Sequence, residues 1–138
     1  MMLGFPDAYA ESSLKSAGLT MRDHRSLKAW QEAHLVAGGV LDLAALHWNP
    51  NLREVFRQLV ASALSVQANI TEGYALGTRG LFVRHLRIAY GSAVEAGDLL
   101  GLLKERQAIP STTADDLLNH NHQSQRLVLG LLHRYAKP

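Results

Sequence analysis

A chain of 138 residues, 47% of them apolar, is long enough for one domain around a single core. It has no cysteine, which excludes disulfides, thiolate catalysis and cysteine-bound zinc or iron–sulfur sites. No apolar run approaches the roughly 18–20 residues of a membrane span, and a net charge of +2 is too mild to define a partner by itself.

Met1 to Thr20 carries Gly4, Pro6 and Gly18 among several serines, with no sustained apolar period. Residues 1–21 therefore read as a flexible N-terminal extension, ahead of a bundle over residues 22–138. Met1 to Tyr9 has neither a basic n-region nor an apolar h-region, so the expected location is cytoplasmic.

A first helix is predicted from about Arg25 to His47. Its apolar stripe is Leu27, Trp30, His34, Ala37, Leu41 and Ala44, in steps of three or four. Gly38-Gly39 interrupts it and marks a bend or a close helix contact. Asn49-Pro50 reads as a cap followed by proline at the first helical position. The second helix, about Pro50 to Tyr74, carries the seam Leu52, Phe56, Leu59, Ala63, Val66, Ile70 and Gly73. Gly77 is its expected stop. The third helix, about Arg79 to Gln107, repeats the spacing with Phe82, Leu86, Ala89, Ala93, Ala96, Leu100 and Leu103. The fourth starts at Ser111 or Thr112 and carries Leu117, Asn121, Ser124, Val128, Leu131 and Tyr135. No stretch alternates with period two. Four long helices joined by short loops predict an all-α, up-down-up-down antiparallel four-helix bundle. The second and third helices have more apolar positions than one seam needs, including Val60, Leu64, Ile88, Val94 and Leu102. That excess suggests burial against a second surface, as in an oligomer.

Asn69, Glu72, Ser92 and Glu95 stand among these apolar positions as a structural polar signature. Partly buried polar residues in bundles mostly set register. Glu72 and Glu95 lie on antiparallel helices and out of step, unlike the paired carboxylates of a glycosidase. The seven histidines form no repeated ligand pattern, and no Glu-x-x-His unit occurs. Gly73, Gly77 and Gly80 follow no strand and precede no Gly-Lys-Ser/Thr. The expectation is no enzyme, no catalytic residue, no metal and no cofactor. Trp30 and Trp48 read as packing residues.

The bundle topology sorts charge. One end gathers the starts of the first and third helices and the ends of the second and fourth. It collects Arg22, Arg25, Lys28, Arg79, Arg84, Arg87, Arg134 and Lys137 against Asp23, Glu32 and Glu72. The rest of the bundle, including Arg126, is net acidic. Arg22, Arg25, Lys28, Arg79, Arg84 and Arg87 are the candidate contacts for nucleic-acid phosphates. The alternative is a protein-binding scaffold with no nucleic-acid role.

Three segments carry a family resemblance. Leu27 to His34 looks like the opening helix of the 23S rRNA intervening-sequence proteins. Ser65 to Tyr74 resembles that family's Ser-Val-Pro-x-Asn-Ile-x-Glu-Gly hallmark, with Gln67 at the usual proline position. Phe82, Leu86, Ala89, Gly91, Ser92 and Glu95 resemble its third-helix signature. The resemblance implies a four-helix bundle that assembles as a homopentamer. It implies no established reaction, and some members are encoded within insertions in ribosomal RNA genes. Helix 2 here lacks arginines often found over Gln58 to Ser62, which lowers its basic charge. The combined expectation is a non-enzymatic oligomeric interaction module, with RNA or DNA as candidate partners and no membrane.

Overall fold

In the computed structural model the described residues are 23–136. The expected extension over residues 1–21, Arg22 and Lys137 lie outside them. Four helices account for nearly all of that span: α1 Lys28–His47, α2 Arg53–Leu76, α3 Arg79–Glu105 and α4 Ser111–Tyr135. Short 3-10 turns at His24–Ser26 and Pro50–Leu52 lead into α1 and α2. No strand occurs among the described residues.

Local chemistry explains the boundaries. Asn49 accepts a hydrogen bond from the Asn51 amide at 2.9 Å, and Pro50 follows at the first helical position. Gly77 takes φ 82°, the left-handed conformation that closes α2 at little steric cost. Thr78 then caps α3, its Oγ1 accepting from the Leu81 amide at 3.3 Å. At the α3–α4 turn, Lys104 reaches Asp115 at 2.6 Å, across the connection.

The helices pack in cyclic order, α1 on α2, α2 on α3, α3 on α4 and α4 on α1, and the α2–α3 pair is the most extensive. This is the up-down-up-down antiparallel bundle. Its core has two clusters. One holds Ile70, Phe82, Leu86, Val128 and Tyr135 at the end where α1 and α3 begin. The other holds Val40, Phe56, Leu59, Leu100 and Leu117 toward the opposite end. Each fully buried large side chain contributes about 1.5–3 kcal/mol. Between the clusters lies a buried polar layer of Ser62, Asn121 and Ser124. Asn121 Nδ2 donates to the Ala93 carbonyl at 2.8 Å, and Ser62 Oγ donates to the Leu59 carbonyl at 3.1 Å. Ser124 Oγ is buried without a partner.

The seams expected on α2, α3 and α4 face the core. The α1 stripe does so in part. Ala37 is buried and Leu27, Trp30 and Ala44 pack against the core, but Leu41 is 48% exposed and His34 is exposed. Ala29, Ala33, Val36, Val40 and Leu43 complete the buried face. That face is turned toward the alanines because α1 must fit against α2 and α4 at once, where alanine permits close approach. Gly39 shows how close: a β-carbon there would stand 2.4 Å from Leu117 Cδ2, so of the Gly38-Gly39 pair it is Gly39 that marks a helix contact. Trp30 packs on the core, as expected, but Trp48 is 49% exposed, its ring tilted 35° to Phe56 with centroids 5.8 Å apart. Among the described residues, no helix is long and apolar enough to cross a membrane.

Candidate functional site

The polar signature forms a ladder along the outer side of the α2–α3 pair. His85 Nδ1 donates to Asn69 Oδ1 at 2.8 Å. Asn69 Nδ2 donates to the Ser65 carbonyl at 2.8 Å and reaches Ser65 Oγ at 3.1 Å. Ser65 Oγ meets Ser92 Oγ at 2.8 Å. Further along, Gln58 Nε2 donates to Glu95 Oε2 at 2.6 Å. Asn69 and Ser92 do not touch; Ser65 joins them. Ser65, His85 and Gln58 complete the ladder and had not been singled out. The signal was present for Ser65, which stands one turn before Asn69 on the same helix face.

These bonds tie α2 to α3 at three levels. The two hydroxyls bond each other, and the imidazole bonds an amide rather than a serine. Neither ladder serine therefore has this imidazole as a hydrogen-bonded base. Glu72 is exposed. Glu95 sits level with Gln58, fourteen residues before Glu72 on α2, so the two carboxylates are about 20 Å apart along the bundle. Among the described residues, no three histidine or acidic side chains converge as a metal-ligand set.

Glycines let the helices close around these bonds. A β-carbon at Gly73 would lie 2.7 Å from His85 Cβ, and one at Gly97 would lie 2.9 Å from Asn121 Nδ2. On the other side of α2, Gln67 Oε1 accepts from His34 Nδ1 at 3.1 Å. His34 in turn stacks on Trp30, with ring centroids 4.5 Å apart and 13° between planes. Gln67 thus ties α2 to α1, a contact the family's usual proline has no side-chain amide to make.

The basic end divides into separate surfaces. Arg25, Lys28, Arg79, Arg84 and Arg87 are all exposed. Arg84 and Arg87 belong to α3, which packs on α2 and α4 and stands diagonally across the bundle from α1. Lys28 faces the other way, into a groove of about 290 Å³ between α1 and α4. Its floor is Leu27, Ala29, Leu127 and Leu131; its cations are Lys28, Arg126 and Arg134. Gly130 also lines it, and among the described residues no carboxylate does. Sequence sorting placed Arg126 with the acidic remainder, because it lies more than two turns before the end of α4. The tertiary structure brings it level with Lys28.

Arg126 also lines a neighbouring cavity with Glu32 and His120. There His120 Nδ1 donates to Glu32 Oε1 at 2.7 Å, and Asp116 Oδ1 lies 4.0 Å from His120 Nε2. The α1–α4 face therefore passes from basic to acidic within a few turns.

The comparisons with known proteins follow the same lines. The family model described as 23S rRNA-intervening sequence protein matches residues 25–130. A crystal structure of a protein of unknown function from the S23 ribosomal protein family of Bacteroides thetaiotaomicron is similar, with a TM-score of 0.55 and 23% identity. The match covers 74% of this chain and 98% of that one, and it supports the shared fold. No curated protein matches the chain. With three signature segments, a bundle of the expected topology and a family match over residues 25–130, this chain belongs to the 23S rRNA-intervening sequence protein family.

Proposed function

We propose that this protein is a non-enzymatic, cytoplasmic interaction module that assembles with copies of itself and takes nucleic-acid phosphates on its basic bundle end. The observation that carries the reading is the α1–α4 groove, where Lys28, Arg126 and Arg134 converge with no carboxylate among the described lining residues. Arg25, Arg79, Arg84 and Arg87 extend positive charge around the same end, with Arg22 preceding it in the chain. Such a surface gains from counterion release when it meets a phosphate backbone. Self-association is supported by apolar side chains exposed on different sides of the bundle. Leu41 and Leu64 flank the α1–α2 side, and Ile88 and Leu102 lie on the outer side of α3; each is 40–48% exposed. Two unlike apolar sides suit head-to-tail contacts that close a ring, and the family resemblance implies five subunits.

The test is fluorescence anisotropy with labelled RNA and DNA at two salt concentrations, alongside the native mass of the assembly. Binding at about 50 mM salt that weakens steeply by about 200 mM is expected. Arg84→Glu with Arg87→Glu, and separately Lys28→Glu with Arg134→Glu, should each weaken it and flatten the salt dependence. Absence of binding at the lower salt rejects the nucleic-acid reading, and a monomeric mass rejects the ring.

One feature favours a protein partner instead. The groove floor is leucine and alanine, with no aromatic ring among the described lining residues on which a base could stack. A pull-down that survives nuclease treatment would support that second reading.

A further inference from the structure

We infer that the outward face of α2 on one copy of this chain docks against the outward face of α3 on the next, in a fixed charge register. The inference rests on the self-association proposed above and names the two surfaces that carry it. On α2 the outward stripe is Arg57, Ala61, Leu64, Ala68 and Glu72, all exposed. On α3 it is Arg84, Ile88, Gly91, Asp98 and Leu102, again all exposed. Each stripe follows helical spacing and has an apolar middle between charges of opposite sign. Leu64 and Ile88 are large apolar side chains left in contact with water, and burying both is the driving force.

The Asn69–His85 hydrogen bond, at 2.8 Å, fixes the relative height of the two helices. Counting 1.5 Å of rise per residue, Leu64 lies about 7.5 Å from Asn69, and Ile88 about 4.5 Å from His85 in the same direction. Arg57 and Asp98 follow at about 18 and about 19.5 Å. Glu72 and Arg84 lie on the other side of the bond, at about 4.5 and about 1.5 Å. At all three heights the faces are complementary: anion level with cation, apolar with apolar, cation with anion. A copy turned about an axis parallel to the bundle, without sliding along it, therefore brings matching groups together. Such an operator has no rise, so it generates a ring instead of a helical filament.

Within one protomer this complementarity is unused. Arg57 pairs with Glu54 at 3.4 Å, and Glu72, Arg84 and Asp98 enter none of the ion pairs between the described acidic and arginine or lysine side chains. Across a contact, opposite charges fix register and exclude wrong alignments. Each stripe could also meet its own kind in antiparallel fashion. That arrangement needs two different interfaces to cover both apolar patches and links copies into an open chain, whereas head-to-tail docking covers both with one.

Light scattering on the full-length chain, without nucleic acid, tests the pairing. Leu64→Glu spoils only the α2 face, and Ile88→Glu only the α3 face. Both positions are exposed and glutamate is a good helix former, so helicity by circular dichroism should be unchanged. Each variant alone should be monomeric, because every head-to-tail contact needs both faces. Mixed in equal amounts, the two should form a dimer that grows no further, joined through the one intact face of each. Charge tests the register. Arg57→Glu and Asp98→Arg should each weaken self-association about tenfold. Mixing these two variants should recover most of it, since each supplies the charge the other now lacks; the loss of the Glu54 pair within one chain is not repaired by mixing. Dimers formed by Leu64→Glu or Ile88→Glu alone overturn the inference in favour of like faces. So does a mixture of those two that stays monomeric, or a charge loss that mixing leaves unrepaired. A wild-type assembly undisturbed by either glutamate overturns the inference and leaves self-association standing. A monomeric wild-type chain overturns both.

Discussion

His85 stands in the space that a side chain at Gly73 would need: a β-carbon there would approach His85 Cβ to 2.7 Å. Cβ cannot swing away as a chain end can, so α2 and α3 would have to separate. Gly73→Ala should destabilise the fold by about 1–3 kcal/mol despite alanine's better helix propensity. Gly38 has open space around its would-be β-carbon, so Gly38→Ala should instead stabilise by up to about 1 kcal/mol. Urea denaturation at a fixed protomer concentration separates the two. Equal effects would mean that the α2–α3 approach is not close at Gly73.

The Asn69–His85 hydrogen bond crosses from α2 to α3 at 2.8 Å, and Asn69 is also held by Ser65. A double-mutant cycle with Asn69→Ala and His85→Ala should return a coupling of about 1 kcal/mol. Additive losses would show that the bond contributes nothing to register. The same cycle on Asn69 and Glu95 should be close to additive, because Glu95 bonds Gln58 instead.

Ser124 buries a hydroxyl without a partner in the polar layer between the two core clusters. Its desolvation is uncompensated, so Ser124→Ala should raise stability by about 1 kcal/mol. A thermal denaturation midpoint that falls would indicate that the hydroxyl is satisfied in solution.

Gln107 adopts φ 57° just beyond the end of α3, a left-handed conformation that costs an L side chain energy. Gln107→Gly relieves that cost, and should stabilise by up to about 1 kcal/mol where the gain exceeds the added freedom of the unfolded chain. Chemical denaturation reads the difference directly. A loss of stability would place the Gln107 side chain in a contact that outweighs its backbone cost.

The bundle itself was legible from spacing alone. Phe56 to Gly73 on α2 and Phe82 to Leu103 on α3 repeat so regularly that only one helix face can be buried, and the structure buries that face. Gly77 and Asn49-Pro50 marked ends because each depends on its own backbone chemistry. Asn69, Ser92 and Glu95 were recognisable as polar residues out of place, and their family signature could be read from the chain.

What spacing could not determine was which side of a helix meets which neighbour. On α1 helical spacing admits more than one stripe, and only the steric fit against α2 and α4 buries Ala29, Ala33, Val36, Val40 and Leu43 and leaves His34 and Leu41 exposed. The partners of the polar signature are likewise a matter of axial level between antiparallel helices, which joined Ser65 to Ser92 and Gln58 to Glu95. The same offset brought Arg126 beside Lys28 and set Arg84 and Arg87 on a diagonal helix. Local sequence determines what a helix can bury. The relative shift and rotation of packed helices, which depend on all four surfaces at once, decide which charges share a groove.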